Sequence, residues 1–289
     1  MEVKEKEKRY SFCSFTIEQE KQICEEYING EGTTILAKKY NSNPSTIYNI
    51  LKVYNIKRRT LSEARRKYVN YTLNENIFEN IDSPDKSYWI GVMYSDGYIS
   101  KNKYTNKFGI AVKANDEEWL LKFKEFLNYN GEIGHYLTTE SGYKSNSPYV
   151  RLLIGNNKIV SDLEKLGVVE HKSKIISKIP DIPYKDDFIR GYIDGDGSLL
   201  KIRPTFQISG NESFLLDIAN YFQIPYHIYP DKTIYSLKYN AQESRYLEKR
   251  LYKNAHYYLN RKYEIAKRSF DSPITLEDVM KTSNIKENP

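Results

Sequence analysis

Residues 107–113 alternate strictly: Phe108, Ile110 and Val112 fall on one face, and Lys107, Ala111 and Lys113 on the other. That period of two marks a half-buried strand. The pattern returns later in the chain, where Phe206 and Ile208 form an apolar face and Gln207 and Ser209 the opposite one. Around each strand the same order of elements is predicted: helix, two strands, helix, two strands, helix. In the first copy Asp82-Ser83-Pro84 opens a helix, with Ser83 as N-cap and Pro84 at the first helical position. Helices follow at about 116–127 and 158–166, with strands near 133–138 and 149–154. In the second copy Asn211-Glu212 opens a helix, strands lie near 226–229 and 233–239, and a helix begins at Ala241. A basic, aromatic stretch over 251–267 closes the folded part, and the residues after Ser269 are expected to be peripheral.

Ahead of the repeats, residues 15–54 read as three short helices. Thr16 with Gln19 makes a capping box, and Ile23, Tyr27 and Ile28 supply an apolar stripe. A second helix covers about 33–40. Asn41-Ser42-Asn43-Pro44 breaks it, and Asn43 caps the third helix with Pro44 at its first position. This spacing fits a helix-turn-helix: Ala37 is small where two helices must cross, Asn41 tolerates a left-handed turn, and Ile47 and Ile50 face inward. Ser45, Thr46, Tyr48, Asn49 and Lys52 are then exposed on the third helix, a set suited to a major groove. Lys57-Arg58-Arg59 and Arg65-Arg66-Lys67 follow at once, although such runs are commonly solvated faces. A plain three-helix packing element would show the same pattern. The expected organisation is a helix-turn-helix module with a charged leader over 1–60, a linker over 61–82, two repeated halves over 83–180 and 181–270, and a tail over 271–289.

The chain has 289 residues, enough for two or three compact units. Its 44 Lys and Arg against 38 Asp and Glu give a net charge of +6, which permits a nucleic-acid partner without requiring one. The 27 tyrosines suit core positions and phosphate or base contacts alike. Cys13 and Cys24 form no ligand spacing or disulfide framework, which points to a reducing compartment. His135, His171, His227 and His256 are scattered, arguing against a zinc site and against a histidine-based nuclease motif. No apolar run is long enough to span a membrane, and no signal peptide is visible. A soluble protein inside the cell, in the bacterial cytoplasm or nucleoid or in an organelle, is expected.

Chemistry concentrates in two segments, Tyr88-Trp-Ile-Gly-Val-Met-Tyr-Ser-Asp-Gly-Tyr98 and Phe188-Ile-Arg-Gly-Tyr-Ile-Asp-Gly-Asp-Gly-Ser198. Asp-Gly commonly marks a tight turn, and Gly97 and Gly197 are placed to act as C′ glycines ending their helices. The carboxylates fit that reading poorly. An Asp at a helix C-terminus opposes the macrodipole, at about 0.3–1 kcal/mol, and the same choice made twice implies a cation nearby. A calcium loop is excluded, because Ser198 and Leu199 stand where the loop needs an acid or amide and a glycine. Gly91 with Ser95, and Gly191 with Gly195, give each helix a strip of small residues. Two such strips in contact set Asp96 beside Asp196, an arrangement that divalent metal stabilises.

These two segments resemble the paired motifs of the LAGLIDADG homing endonucleases in their single-chain, two-motif form, with an added N-terminal helix-turn-helix. The resemblance covers about 84–268. The second motif, Ile189-Arg-Gly-Tyr-Ile-Asp-Gly-Asp-Gly197, matches strongly; the first, Trp89-Ile-Gly-Val-Met-Tyr-Ser-Asp-Gly97, is looser, with Tyr94 where many members carry an acid and Arg190 where a small residue is usual. The fold implied is α+β, two pseudo-symmetric αββαββα halves forming a DNA-binding saddle, beside a small all-α domain. The resemblance further implies Mg²⁺, with Mn²⁺ able to substitute, held by Asp96, Asp196 and the backbone at Ser95 and Gly195. It implies a monomer that cuts both strands of a long asymmetric site in double-stranded DNA, leaving short 3′ overhangs. Lys113, Arg151, Gln207 and Ser209 would read that site, together with Arg58, Arg59 and the exposed positions of the third helix. The family places a basic residue near the metals, and Lys238 fits that position best, with Lys113 as a helper in the first half. A DNA-binding regulator that has lost cleavage, or an intron maturase that binds RNA, would share the fold.

Overall fold

The computed structural model describes residues 15–59, 71–138, 147–170, 172 and 175–283. The charged leader with Cys13, the run Arg65-Arg66-Lys67, His171 and residues 284–289 lie outside them. The chain divides into two units, 1–71 and 72–289.

In the first unit, α1 (Ile17–Ile28), α2 (Thr33–Lys39) and α3 (Pro44–Val53) pack around Ile23, Leu36, Ile47 and Leu51. Both expected N-caps form: Thr16 accepts from the Gln19 amide in a capping box, and Asn43 accepts from the Thr46 amide with Pro44 behind it. Asn41 takes the left-handed conformation, at φ 48°. The stripe on α1 differs from expectation. Ile28 is 68% exposed, and the buried line runs Ile23, Cys24, Tyr27. One further step of about 100° carries position 28 off that face.

The second unit repeats one plan twice. The first half runs α4 (Pro84–Ser95), β1 (Gly97–Ser100), β2 (Lys107–Lys113), α5 (Glu117–Phe126), β3 (Gly134–Leu137), β4 (Pro148–Gly155) and α6 (Asn157–Lys165). The second runs α7 (Lys185–Asp196), β5 (Gly197–Leu199), β6 (Phe206–Gly210), α8 (Glu212–Phe222), β7 (His227–Asp231), β8 (Ile234–Tyr239) and α9 (Ala241–Tyr252), followed by α10 (Asn260–Ala266) and α11 (Leu276–Ser283). The strands form two four-stranded antiparallel sheets of identical order, β1-β2-β4-β3 and β5-β6-β8-β7. In each sheet the alternating strand buries one face, Phe108 and Ile110 in the first and Phe206 and Ile208 in the second. Helices α4 and α7 lie against each other with buried residues on almost every side, as expected of a pair enclosed by the rest of a core.

Three expectations are corrected. The segment 72–82 is folded rather than linking: Ile77 and Phe78 are buried, the Asn74 amide donates to the Leu127 carbonyl, and Glu75 accepts from Asn156. Polar residues hide this in the sequence, because only two apolar positions are buried, with Leu73 and Ile81 partly buried against the core. The stretch after Ser269 is packed too, since α11 buries Val279 completely and Lys249 donates to the Ser272 carbonyl. Finally, Gly97 and Gly197 are not left-handed helix stops; Gly197 is extended at φ −97° and ψ 168°, and each glycine opens a strand. They are needed for closeness. A Cβ would lie 2.6 Å from the Met93 Cα at position 97, and 2.6 Å from the Ile193 carbonyl oxygen at position 197. Among the described residues no helix is long and apolar enough to cross a membrane.

Candidate active site at the ends of the paired helices

The small-residue strips decide how α4 and α7 meet. A Cβ on Gly91 would stand 1.9 Å from the Phe188 carbonyl oxygen, and one on Gly191 2.0 Å from that of Tyr88. The two backbones are therefore in direct contact, reciprocally. One turn further on, a Cβ on Gly195 would sit 2.1 Å from Ser95 Oγ and 3.0 Å from the Asp96 carboxylate. Asp96 and Asp196 thus end two helices that touch along their last turns.

Asp96 is half-buried, whereas Asp196 reaches solvent while remaining crowded by protein on most sides. Burial and the neighbouring Asp196 push the Asp96 carboxyl up to about 6. Burial likewise raises Asp196, against the lowering pull of Lys172 and Lys262 and of the Tyr192 hydroxyl. Among the described residues neither carboxylate is closed into an ion pair, and no cluster of three or more His, Cys, Asp and Glu side chains stands ready for a metal. The donor set is two hard carboxylate oxygens with helix-end carbonyls beside them. It fits a hard divalent cation that completes its shell with water or a ligand's oxygens.

Two lysines face the same helix ends. Lys172 Nζ donates to the carbonyls of Ser95, at 2.9 Å, and Gly97. Lys262 Nζ donates to those of Ile193 at 2.5 Å, Asp194 at 2.7 Å and Gly195 at 3.4 Å. The Ile193 carbonyl also accepts from the Gly197 amide; a cation at these chain ends adds to the bonding of their carbonyls and opposes the helix dipoles. Burial lowers both amines, Lys262 to about 8, against the raising pull of the acids around them. Lys172 and Lys262, with Arg261, are the cations that act on Asp96. Lys238 and Lys113, expected near the metals, are not among the cations that act on Asp96 or Asp196. Lys238 pairs with Gln207 and His227 across the second sheet, and Lys113 pairs with Tyr149 at the end of β2. The sequence held one signal for Lys262: it shares the buried stripe of α10 with Leu259 and Ala266, where a solvated lysine has no place. Lys172 lies outside any periodic segment and gave none.

The remaining expected contacts divide by face. Lys113, Arg151, Gln207 and Ser209 all lie on strand positions opposite the core. In the first sheet Arg151 lies 4.5 Å over the Tyr136 ring and donates to its hydroxyl, with Tyr149 stacked alongside. In the second, Gln207 Nε2 donates to Ser236 Oγ at 2.7 Å, which fixes the amide's orientation. In the three-helix unit Ser45, Tyr48 and Lys52 are exposed on α3, Thr46 and Asn49 are half-buried, and Arg58 lies over the Tyr48 ring. Arg59 is used internally, 4.2 Å over the Tyr27 ring and bonded to the Glu31 carbonyl.

No protein-family model and no curated protein sequence matches the chain. Among solved structures it is similar to the LAGLIDADG meganuclease I-AabMI bound to uncleaved DNA, at 14% identity and a TM-score of 0.46 over 71% of this chain and 98% of that one. It is similar also to the LAGLIDADG homing endonuclease I-GzeII in complex with its DNA target, at 15% identity and a TM-score of 0.44 over 72% and 98%. A third is I-SmaMI bound to an uncleaved DNA target in the presence of calcium ions, at 13% identity and a TM-score of 0.43 over 71% and 97%.

Proposed function

We propose that the chain is a metal-dependent, site-specific endonuclease of the LAGLIDADG homing type, acting on double-stranded DNA at the joined ends of α4 and α7. The observation that carries this reading is the pair Asp96 and Asp196. Two carboxylates end touching helices, are raised by burial, and lack an ion pair among the described residues. A binding protein with no chemistry to perform gains nothing from holding two acids where DNA phosphates would approach.

Asp96 and Asp196, with the carbonyls of Ser95 and Gly195, would hold Mg²⁺, and Mn²⁺ in its place. The ion supplies Lewis-acid stabilisation of the phosphate and a more acidic water. Lys172 and Lys262 flank that centre, one for each half. Lys262 is buried with its three donors directed at the Ile193, Asp194 and Gly195 carbonyls, so it would act on the centre through its charge rather than by touching a phosphate. The outer faces of the two sheets supply positioning and sequence reading. Their contents differ, so the site they read is asymmetric, and one chain holds both halves, so a monomer suffices. Cutting one strand from each half leaves short 3′ overhangs. The exposed side of α3 with Arg58 extends the contact beyond the main site.

Cleavage of a plasmid library of random inserts tests this directly, with Mg²⁺, with EDTA, and with Asp196→Asn. Metal-dependent cutting at one long site, lowered on the order of a thousandfold or more by the substitution, is the expected result. Selective retention of one sequence with no cut in Mg²⁺ or Mn²⁺ would replace this reading by a regulator. Selective retention of an RNA would replace it by a maturase.

A further inference from the structure

Asp194 is fully buried and is not placed to hold the metal, yet it gathers three donors. Its carboxylate accepts from the Tyr252 hydroxyl at 2.7 Å, the Tyr88 hydroxyl at 2.8 Å and the Leu259 amide at 2.9 Å. Leu259 is the N-cap residue of α10, the helix that carries Lys262. One turn earlier on α7, Arg190 is buried as well. It donates to the Leu251 and Tyr257 carbonyls, both at 3.0 Å, and pairs with Asp187 at 2.7 Å. Residues four apart share a helix face, so Arg190 and Asp194 together grip the segment 251–259 through its carbonyls, one hydroxyl and one amide. Tyr88, from α4, stands beneath both, with the Arg190 guanidinium 5.0 Å from its ring and its hydroxyl accepting from Trp119 at 2.7 Å.

Among the described residues no buried charged pair stands at the matching place in the first half, where the exposed Glu170, two residues before Lys172, accepts from the Lys101 amide at 2.9 Å. The matching positions on α4 are Ile90 and Tyr94. Tyr94 makes a single polar contact, from its hydroxyl to the Leu166 carbonyl at 2.5 Å, with its ring edge-on to Phe188. Leu166 caps α6, ahead of Lys172.

We propose that Arg190 and Asp194 are positioning residues that fix Lys262 against the end of α7, and that Tyr94 does the same work for Lys172 with one bond. The lysine of the second half is thereby held more firmly than that of the first. For its effect on cutting, this rests on the endonuclease reading above; for the placement of the lysines it does not.

The test is residue-resolved acylation of lysines in the full chain, read by mass spectrometry, beside cutting resolved by strand. Wild-type protein should label more slowly at Lys262 than at Lys172. Asp194→Asn, and the milder Tyr252→Phe, should speed labelling of Lys262 about tenfold, the effect of one lost buried hydrogen bond on local opening, and leave Lys172 unchanged. Tyr94→Phe should do the reverse. On a cut target, the first two variants should slow one strand and Tyr94→Phe the other, with unchanged DNA affinity. Unchanged Lys262 labelling, or equal gains at both lysines, would overturn the proposal. A wild-type chain that cuts no DNA would instead count against the endonuclease reading, and the labelling result would stand on its own.

Discussion

At the end of α7 a buried guanidinium and a buried carboxylate hold the segment that delivers Lys262; at the end of α4 the segment that delivers Lys172 is held, among the described residues, by a tyrosine hydroxyl and by the exposed Glu170, which accepts from the Lys101 amide. The carboxylates these lysines accompany, Asp96 and Asp196, are matched in position and type. The two halves thus match at the axis and differ in what supports it. Where two backbones touch and two acids converge, substitution in either half disturbs both. One layer away, each half solves its own packing problem.

The axis should therefore respond alike from either side. Gly91→Ala and Gly191→Ala each drive a methyl group into the partner's backbone, which cannot yield as a side chain would. Each should cost at least ~3 kcal/mol, the upper range for overpacking a core, and chemical denaturation would show it. A large loss in one variant and a small one in the other would break the equivalence of the two strips.

The next effect concerns charge. The Asp96 carboxyl titrates at about 6 in the fold and near 4 when unfolded, so the fold favours the protonated acid. Its contribution to metal-free stability is greatest below about pH 4 and falls as the pH rises through about 6. Above that it amounts to a loss of up to ~3 kcal/mol. Asp96→Asn should raise the metal-free Tm at pH 8, flatten its fall between pH 4 and 6, and abolish cutting. An unchanged pH profile in the variant would show that Asp96 is not held unfavourably in the ionised state.

The smallest effects are expected on the sheet faces, where the halves differ most. Arg151, stacked on Tyr136, presents a guanidinium suited to guanine; Gln207, oriented by Ser236, presents an amide suited to adenine. Arg151→Ala and Gln207→Ala should each lower affinity by about 1–3 kcal/mol and relax base preference at a single position in opposite halves of the target. Loss of affinity spread evenly over all sequences would mark these residues as phosphate contacts.

Much of this was legible in the chain. The alternation at Lys107–Lys113 located β2, and the caps at Thr16, Asn43 and Ser83 located three helix starts. The small-residue strips placed Asp96 and Asp196 at one point, because a missing side chain on two facing helices has few other uses. What stayed hidden depends on tertiary contact. A lysine that reaches helix-end carbonyls carries no local pattern, so Lys172 was invisible. Asp194 lay inside a recognised motif, but its role comes from Tyr88, Tyr252 and Leu259, which lie far from it in sequence.

The central claim is that Asp96 and Asp196 form one divalent-metal centre. Mn²⁺ binding to the full chain, followed by its paramagnetic signal with and without target DNA, tests it most directly. Wild-type protein should bind Mn²⁺ and release it to Mg²⁺, and the double variant Asp96→Asn, Asp196→Asn should bind none. Equal binding by both proteins, or none by either in the presence of DNA, would contradict the claim.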